Sequence, residues 1–245
     1  MRQLILSVMI LMQISTSDSQ NWQEREENMS NSNKDSSIRI EFYHDVLCAW
    51  CYALSPRIRK LSQQYPNVQV YHRSFTLSPT KERISEMFGS KEEGKRQIME
   101  HWRAANINDD AHRINTNLMA KKAFDYPYSM PAAMACKAAE FQRGQEGHWD
   151  YFDAVQKAHL TDCLNINEPE VLLSVARLLK LDMEQFKKDF LSPKAKDEVE
   201  SDMRKAEEVG VRSVPSIVIN SQSMISGAVK YAELEAYIEK IMKDK

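Results

Sequence analysis

Residues 38–43, Ile-Arg-Ile-Glu-Phe-Tyr, alternate apolar with polar side chains and then turn aromatic, the two-residue period of a strand. Over 52–64 the period changes. Leu54, Ile58 and Leu61 recur at helical spacing while Ser55-Pro56 interrupts the first turns, so a helix with an early proline is expected. After the punctuation at Pro66-Asn67, residues 68–75 alternate again, with Val68, Val70, His72 and Ser74 on one side and Gln69, Tyr71, Arg73 and Phe75 on the other. Strand, helix and strand in this order predict a βαβ unit with parallel strands.

The middle of the chain has a different texture. From 81 to 209 β-branched runs nearly vanish and helical periodicity dominates, with helices expected over 91–105, 129–144, 147–159, 168–179, 183–191 and 194–209. Ser129 is read as the capping serine of the second of these and Gly210 as the C-cap of the last. Strand patterns return at 216–220 and 224–227, and 231–242 carries Leu234, Ile238 and Ile241 on one helical face. The order βαβ, helical block, ββα predicts an α/β fold in which 81–209 is a large all-helical insertion between the halves 38–80 and 210–245. A cleft is expected where the insertion faces the sheet.

Residues 1–37 stand apart as a signal-like or spurious extension and polar tail. An apolar run at 4–14 behind Arg2, followed by Ser15 and Ser17, resembles a weak signal peptide. It is too short to cross a bilayer about 30 Å thick, which takes roughly 20 apolar residues. The competing expectation makes Met29 the true start, because the codons of Glu24-Arg25-Glu26-Glu27 can spell a purine-rich ribosome-binding site in a bacterial gene. The second reading places the protein in the cytoplasm. The first sends it to the cell envelope or out of the cell.

Composition narrows the chemistry. The 245 residues are 42% hydrophobic and 28% charged with a net charge of −2, so a globular protein is expected and a polyanion such as nucleic acid is not. None of the six glycines stands in a G-x-G arrangement, which excludes a dinucleotide loop and a P-loop. Four cysteines are too few for a disulfide-stapled scaffold, and two of them, Cys48 and Cys51, sit three apart in Asp-Val-Leu-Cys-Ala-Trp-Cys-Tyr.

Cysteines at i and i+3, straight after a strand and opening a helix, have a physical logic. Backbone N–H groups and the positive end of the helix dipole favour a thiolate at the first. The second lies one turn inward, in reach of the mixed disulfide that the first forms. Cys48 is therefore read as the attacking thiol and Cys51 as the resolving one, with Ala49 and Trp50 tuning the pair. Half a zinc ribbon has the same spacing, but Cys136 and Cys163 stand alone and no His-x3-5-His follows, so no metal site is expected. Cys136 and Cys163 are read as lone packed thiols in preference to a second redox pair. His44 either tunes the thiolate or ends the strand, and Asp45 caps the loop backbone. His148, Trp149, Tyr151, Phe152 and His159 form an aromatic helix face, read as core or cleft lining rather than a ligand set. Pro215, at the head of a strand, would present the Val214 backbone to an extended substrate if the bond before it were cis.

The segments Phe42-Tyr-His-Asp-Val-Leu-Cys-Ala-Trp-Cys-Tyr52 and Gly210-Val-Arg-Ser-Val-Pro-Ser-Ile-Val-Ile219, with Ile225-Ser-Gly-Ala228 after them, resemble the DsbA-like thioredoxin superfamily, in particular its FrnE-like branch. The resemblance runs from about residue 38 to the C-terminus. It implies a thioredoxin fold with a helical insertion, thiol–disulfide exchange through Cys48 and Cys51, and a cis Pro215 facing them. Members commonly carry proline where Ala49 stands. No bound cofactor is expected beyond the redox-active Cys48–Cys51 disulfide, which is coupled in one reading to glutathione. Expected partners are proteins bearing thiols or disulfides, or small thiols, with no membrane span. Two rival functions share the architecture: a glutathione-dependent kappa-type transferase or isomerase, which generally has serine at the first thiol position, and a non-catalytic binding or chaperone module.

Overall fold

A computed structural model describes residues 37–243, so the expectations for the N-terminal extension up to residue 36 lie outside the described residues. The chain enters the sheet at β1 (Ile38–His44), crosses over through α1 (Ala49–Gln64) and returns in β2 (Val68–Ser74). The crossover makes β1 and β2 parallel, with Ile38 opposite Val68 and His44 opposite Ser74. The helical segments follow: α2 (Arg83–Phe88), α3 (Lys91–Asn108), α4 (Thr116–Ala120), α5 (Met130–Gln156), a π turn (Lys157–Thr161), α6 (Pro169–Leu178), α7 (Met183–Phe190) and α8 (Pro193–Glu208). Then β3 (Ser216–Ile219) pairs antiparallel with β1, β4 (Ser223–Ser226) folds back on β3, and α9 (Tyr231–Lys243) ends the described chain. The sheet order is β2-β1-β3-β4. This is the thioredoxin-like fold with the expected helical segment between its halves.

Central β1 is covered on both faces. On one, Phe42 meets Phe152 of α5 edge to face at 6.1 Å, within a core that also takes Leu54, Ile58 and Leu61 of α1. On the other, Tyr43 and Val218 pack with Ala206 of α8 and Val211. That second face also buries Glu41, held by Arg73 at 2.9 Å, Arg39 at 3.1 Å and Lys205 at 3.1 Å. Burial alone would raise its pKa, but the three cationic partners outweigh it and keep the carboxyl below its ordinary range.

Three local departures from the sequence reading have physical causes. Helix α1 begins three residues before the expected start, so Pro56 lies well inside it. Proline has no N–H to offer the Tyr52 carbonyl one turn back. Arg113 supplies the missing donor at 2.7 Å, its guanidinium stacked 3.8 Å over the Tyr52 ring. The helices expected over 129–144 and 147–159 form one element, α5, broken at Arg143 and Gly144, where Gly144 takes φ 61°. Ser129 does not cap α5. Its backbone is already helical and its hydroxyl is committed elsewhere, to Asp45.

Candidate active site

The turn out of β1 is built around one buried carboxylate. Asp45 accepts the Leu47 N–H at 2.8 Å, the Leu77 N–H at 2.5 Å and the Ser129 hydroxyl at 2.6 Å, tying the 45–48 loop to the segment after β2 and to the start of α5. Burial pushes its pKa up to about 6, the three donors offsetting part of the rise. Behind the loop, the Gln156 amide donates to the carbonyls of Asp45 at 3.2 Å, Val46 at 3.4 Å and Cys48 at 3.0 Å. A side chain at the end of α5 thus holds three carbonyls of the loop in place.

Held this way, Cys48 becomes the N-cap of α1: its backbone is extended (φ −80°, ψ 105°) and its sulfur accepts the Cys51 N–H at 3.2 Å. An N-cap side chain sits against the unsatisfied first-turn amides, where negative charge is favoured. From the other side the Cys48 thiol reaches the Val214 carbonyl at 3.6 Å, and the Val214-Pro215 bond is cis. The two thiols are not equivalent. Cys48 keeps 6% of its surface, whereas Cys51 is fully buried and its thiol is pushed well up, first by burial and then by the Cys48 thiol beside it.

Beside Cys48 runs an apolar groove of about 240 Å³. Leu47, Ala49, Trp50 and Val214 form its near wall, and Ile84, Met87, Phe88, Ile98 and Trp102 of α2 and α3 its far wall. The groove lies between the thiol loop and the helical segment, and no strand residue lines it, so it differs from the cleft expected against the sheet. Two larger recesses, about 400 and 470 Å³, lie under Lys91 and Asp125, are lined largely by charged and polar side chains and include no cysteine.

Other candidates sit elsewhere. His44 turns into the core, its hydrogen-bond partner being His72 at 3.1 Å and its ring packing 3.9 Å from Phe152, so it is placed away from the tuning role considered for it. Cys136 and Cys163 are separate buried free thiols, both raised by burial, with Cys163 donating to the Asn115 carbonyl at 3.3 Å. Sequence reasoning missed Gln156, Ser129 and the pair Trp102 and Tyr126. In that pair the indole donates to the Tyr126 hydroxyl at 3.1 Å and the hydroxyl to the Leu47 carbonyl at 3.4 Å. Their contacts span 79 residues or more from the thiol loop, and no local pattern could have announced them. Among the described residues no helix is long and apolar enough to cross a membrane.

Comparison with known proteins agrees with this geometry. The ClpXP adapter protein SpxH of Bacillus licheniformis is 31% identical over 180 residues, 74% of this chain, which spans only 57% of that relative's length. A putative protein disulfide isomerase from Nitrosomonas europaea superposes with a TM-score of 0.70 at 18% identity, covering 85% of this chain and 98% of the other. The cytosolic disulfide reductase DsbM from Pseudomonas aeruginosa gives 0.68 at 17%, covering 84% and 100%. These two likenesses establish the fold. The model of the DSBA-like thioredoxin domain matches residues 39–239, nearly the whole described chain, and the chain belongs to that family.

Proposed function

We propose that this chain is a thiol–disulfide oxidoreductase that exchanges disulfides with protein substrates through Cys48 and Cys51. The observation that carries the reading is the asymmetry of the pair. Cys48 caps α1 and faces the Val214 carbonyl, while Cys51 waits one turn behind it, fully buried. In the reducing direction the Cys48 thiolate attacks one sulfur of a substrate disulfide, forming a mixed disulfide and releasing the other substrate sulfur as a thiolate. Cys51 then loses its proton and attacks Cys48, which releases the substrate's second thiolate. The chain ends oxidised and the substrate reduced by two electrons. In the oxidising direction the same steps run backwards.

The apolar groove favours a polypeptide with hydrophobic residues flanking its cysteine over a small thiol as the main substrate. A thiol pool such as glutathione would then only reset the dithiol. Retention of both cysteines argues against the kappa-type transferase reading. The cytoplasm is the proposed compartment, supported by likeness to a reductase described as cytosolic. Cell fractionation tests it. Insulin reduction tests the activity: Cys48→Ala should abolish turnover, and undiminished turnover would overturn the assignment.

A second reading, an adapter that presents another protein to a partner, is favoured by the relative called an adapter. In that case a Cys48→Ala, Cys51→Ala chain would still capture its partner, whereas an oxidoreductase would lose the covalent complex.

A further inference from the structure

Three histidines that play no part in the thiol chemistry meet inside the core. His44 ends β1, His72 lies in β2 on the same face of the sheet, and His148 comes from α5 just beyond its break at Gly144. Their ring centroids form a nearly equilateral triangle with sides of 5.1, 5.2 and 5.1 Å, and one nitrogen from each ring lies within 4.8 Å of the other two. All three are at most 2% exposed, walled in by Phe42, Phe152 and Trp149.

Counting hydrogen bonds leaves the cluster incomplete. A neutral imidazole has one N–H and one lone pair. His148 places Nδ1 2.7 Å from Glu140 Oε2, which fixes the proton there and leaves a lone pair on Nε2, a buried atom without a partner. His44 Nε2 and His72 Nδ1 lie 3.1 Å apart and share one N–H, while His44 Nδ1 and His72 Nε2 have no partner at all. Whichever of the two rings donates, a second lone pair is left without a proton to accept. Buried polar atoms are ordinarily satisfied, and the lone pair left over on His148 Nε2, in a cluster where one nitrogen of each ring lies within 4.8 Å of the others, points to something that binds there.

We propose that His44, His72 and His148 form a structural site for one first-row transition dication of the zinc class, each giving a ring nitrogen. Burial first holds these imidazoles below their usual pKa, with the neighbouring rings adding to it at His44 and His72 and the Glu140 bond offsetting part of it at His148, so they are neutral and their lone pairs are available. Nitrogens about 2.1 Å from a tetrahedral zinc stand about 3.4 Å apart, so the 3.1 Å pair is already at ligand spacing; to ligate, the ring that donates carries its proton on its far nitrogen instead, and His148 Nε2 completes the set. The Glu140 bond to His148 is the outer-shell carboxylate that metal-bound histidines commonly keep, setting tautomer and ring orientation. Glu140 is itself held by Lys137 at 3.0 Å and Gln145 at 2.7 Å. Ligands 28 and 76 residues apart in the chain make no spacing motif, which is why the sequence led to the opposite expectation. An ion here would fasten the end of β1 to β2 and α5, four residues before Cys48.

The test uses the full chain carrying Cys48→Ala and Cys51→Ala, so that the dithiol cannot chelate, purified without a histidine tag and stripped of metal. On equilibrium dialysis against Zn²⁺ it should bind one ion and melt at a higher temperature, and Co²⁺ in its place should give the visible absorption of a tetrahedral site. Glu140→Gln, which keeps all three ligands, should weaken Zn²⁺ binding about 10- to 100-fold. His72→Phe should abolish it. Failure of the parent chain to bind a single equivalent, or undiminished affinity in Glu140→Gln, would overturn the site, even if His72→Phe does not fold. None of these readouts depends on thiol exchange, so loss of the metal site would leave the oxidoreductase reading standing.

Discussion

The Cys48 sulfur lies 3.6 Å from the Val214 carbonyl oxygen, across 166 residues of chain. An extended peptide pairing with the Val214 backbone would therefore bring its own sulfur against Cys48 and no other thiol of the protein. Cys51 is covered and its thiol is pushed up by burial, as are those of Cys136 and Cys163. In the reduced, folded protein at neutral pH, iodoacetamide should modify Cys48 first and the other three thiols only after unfolding. Peptide mass mapping over time checks this, and early label on Cys136 or Cys163 would contradict it.

The groove makes a prediction that separates protein from small-molecule substrates. Met87 lines it from α2 and is 47% exposed, so a charge placed there leaves the core intact. Met87→Asp should raise KM for insulin about tenfold, the equivalent of losing one apolar contact of about 1.4 kcal/mol. Reaction with a small aromatic disulfide should hardly change. Equal losses on both substrates would mean that the groove does not hold the peptide.

Much of this was legible in the chain because it is local. The alternation at 38–43 and 68–75, the two thiols at helical spacing, the Gly210 stop and the Val214-Pro215 turn are short-range patterns, and each recurs in the fold within a residue or so. What escaped was brought together by tertiary packing. Helices α2 and α4 span 6 and 5 residues, too few for a period to declare itself. Ser129 carries the composition of a cap, yet its hydroxyl is taken by a buried carboxylate 84 positions earlier. His44 shows the limit most sharply: from sequence its neighbours are Asp45 and the thiols, but its ring packs with Phe42 and Phe152 and meets His72 and His148.

Gln156 is the support whose loss should be felt most directly by the thiol loop. Gln156→Leu keeps the volume and removes the donor shared by three carbonyls. It also removes the side-chain carbonyl, itself a buried acceptor without a partner, and that relief offsets part of the loss. The net destabilisation should fall at the lower end of about 1–3 kcal/mol, seen as a lower urea midpoint at unchanged m. The rate of Cys48 alkylation should change with it, because the loop places the sulfur. Unchanged stability and unchanged alkylation would show that the Asp45 bonds alone hold the loop.

Asp45 should write its burial into the pH dependence of stability. Its pKa is about 6 in the folded chain against an ordinary 3.8, so between those values the folded state retains a proton that the unfolded state has released. Stability is then fully present below pH 3.8, falls as the pH rises toward 6 and is flat above; a rise of about two units corresponds to roughly 3 kcal/mol. Asp45→Asn cannot ionise and loses that slope. It also presents an NH₂ group where the carboxylate accepted from Leu47, Leu77 and Ser129, so it should be the less stable protein at pH 4. Urea unfolding at pH 4, 5, 6 and 7 should show the gap between the two proteins narrowing across the window and constant beyond it. A gap that widens with rising pH would mean the three donors outweigh burial and Asp45 ionises more readily folded than unfolded.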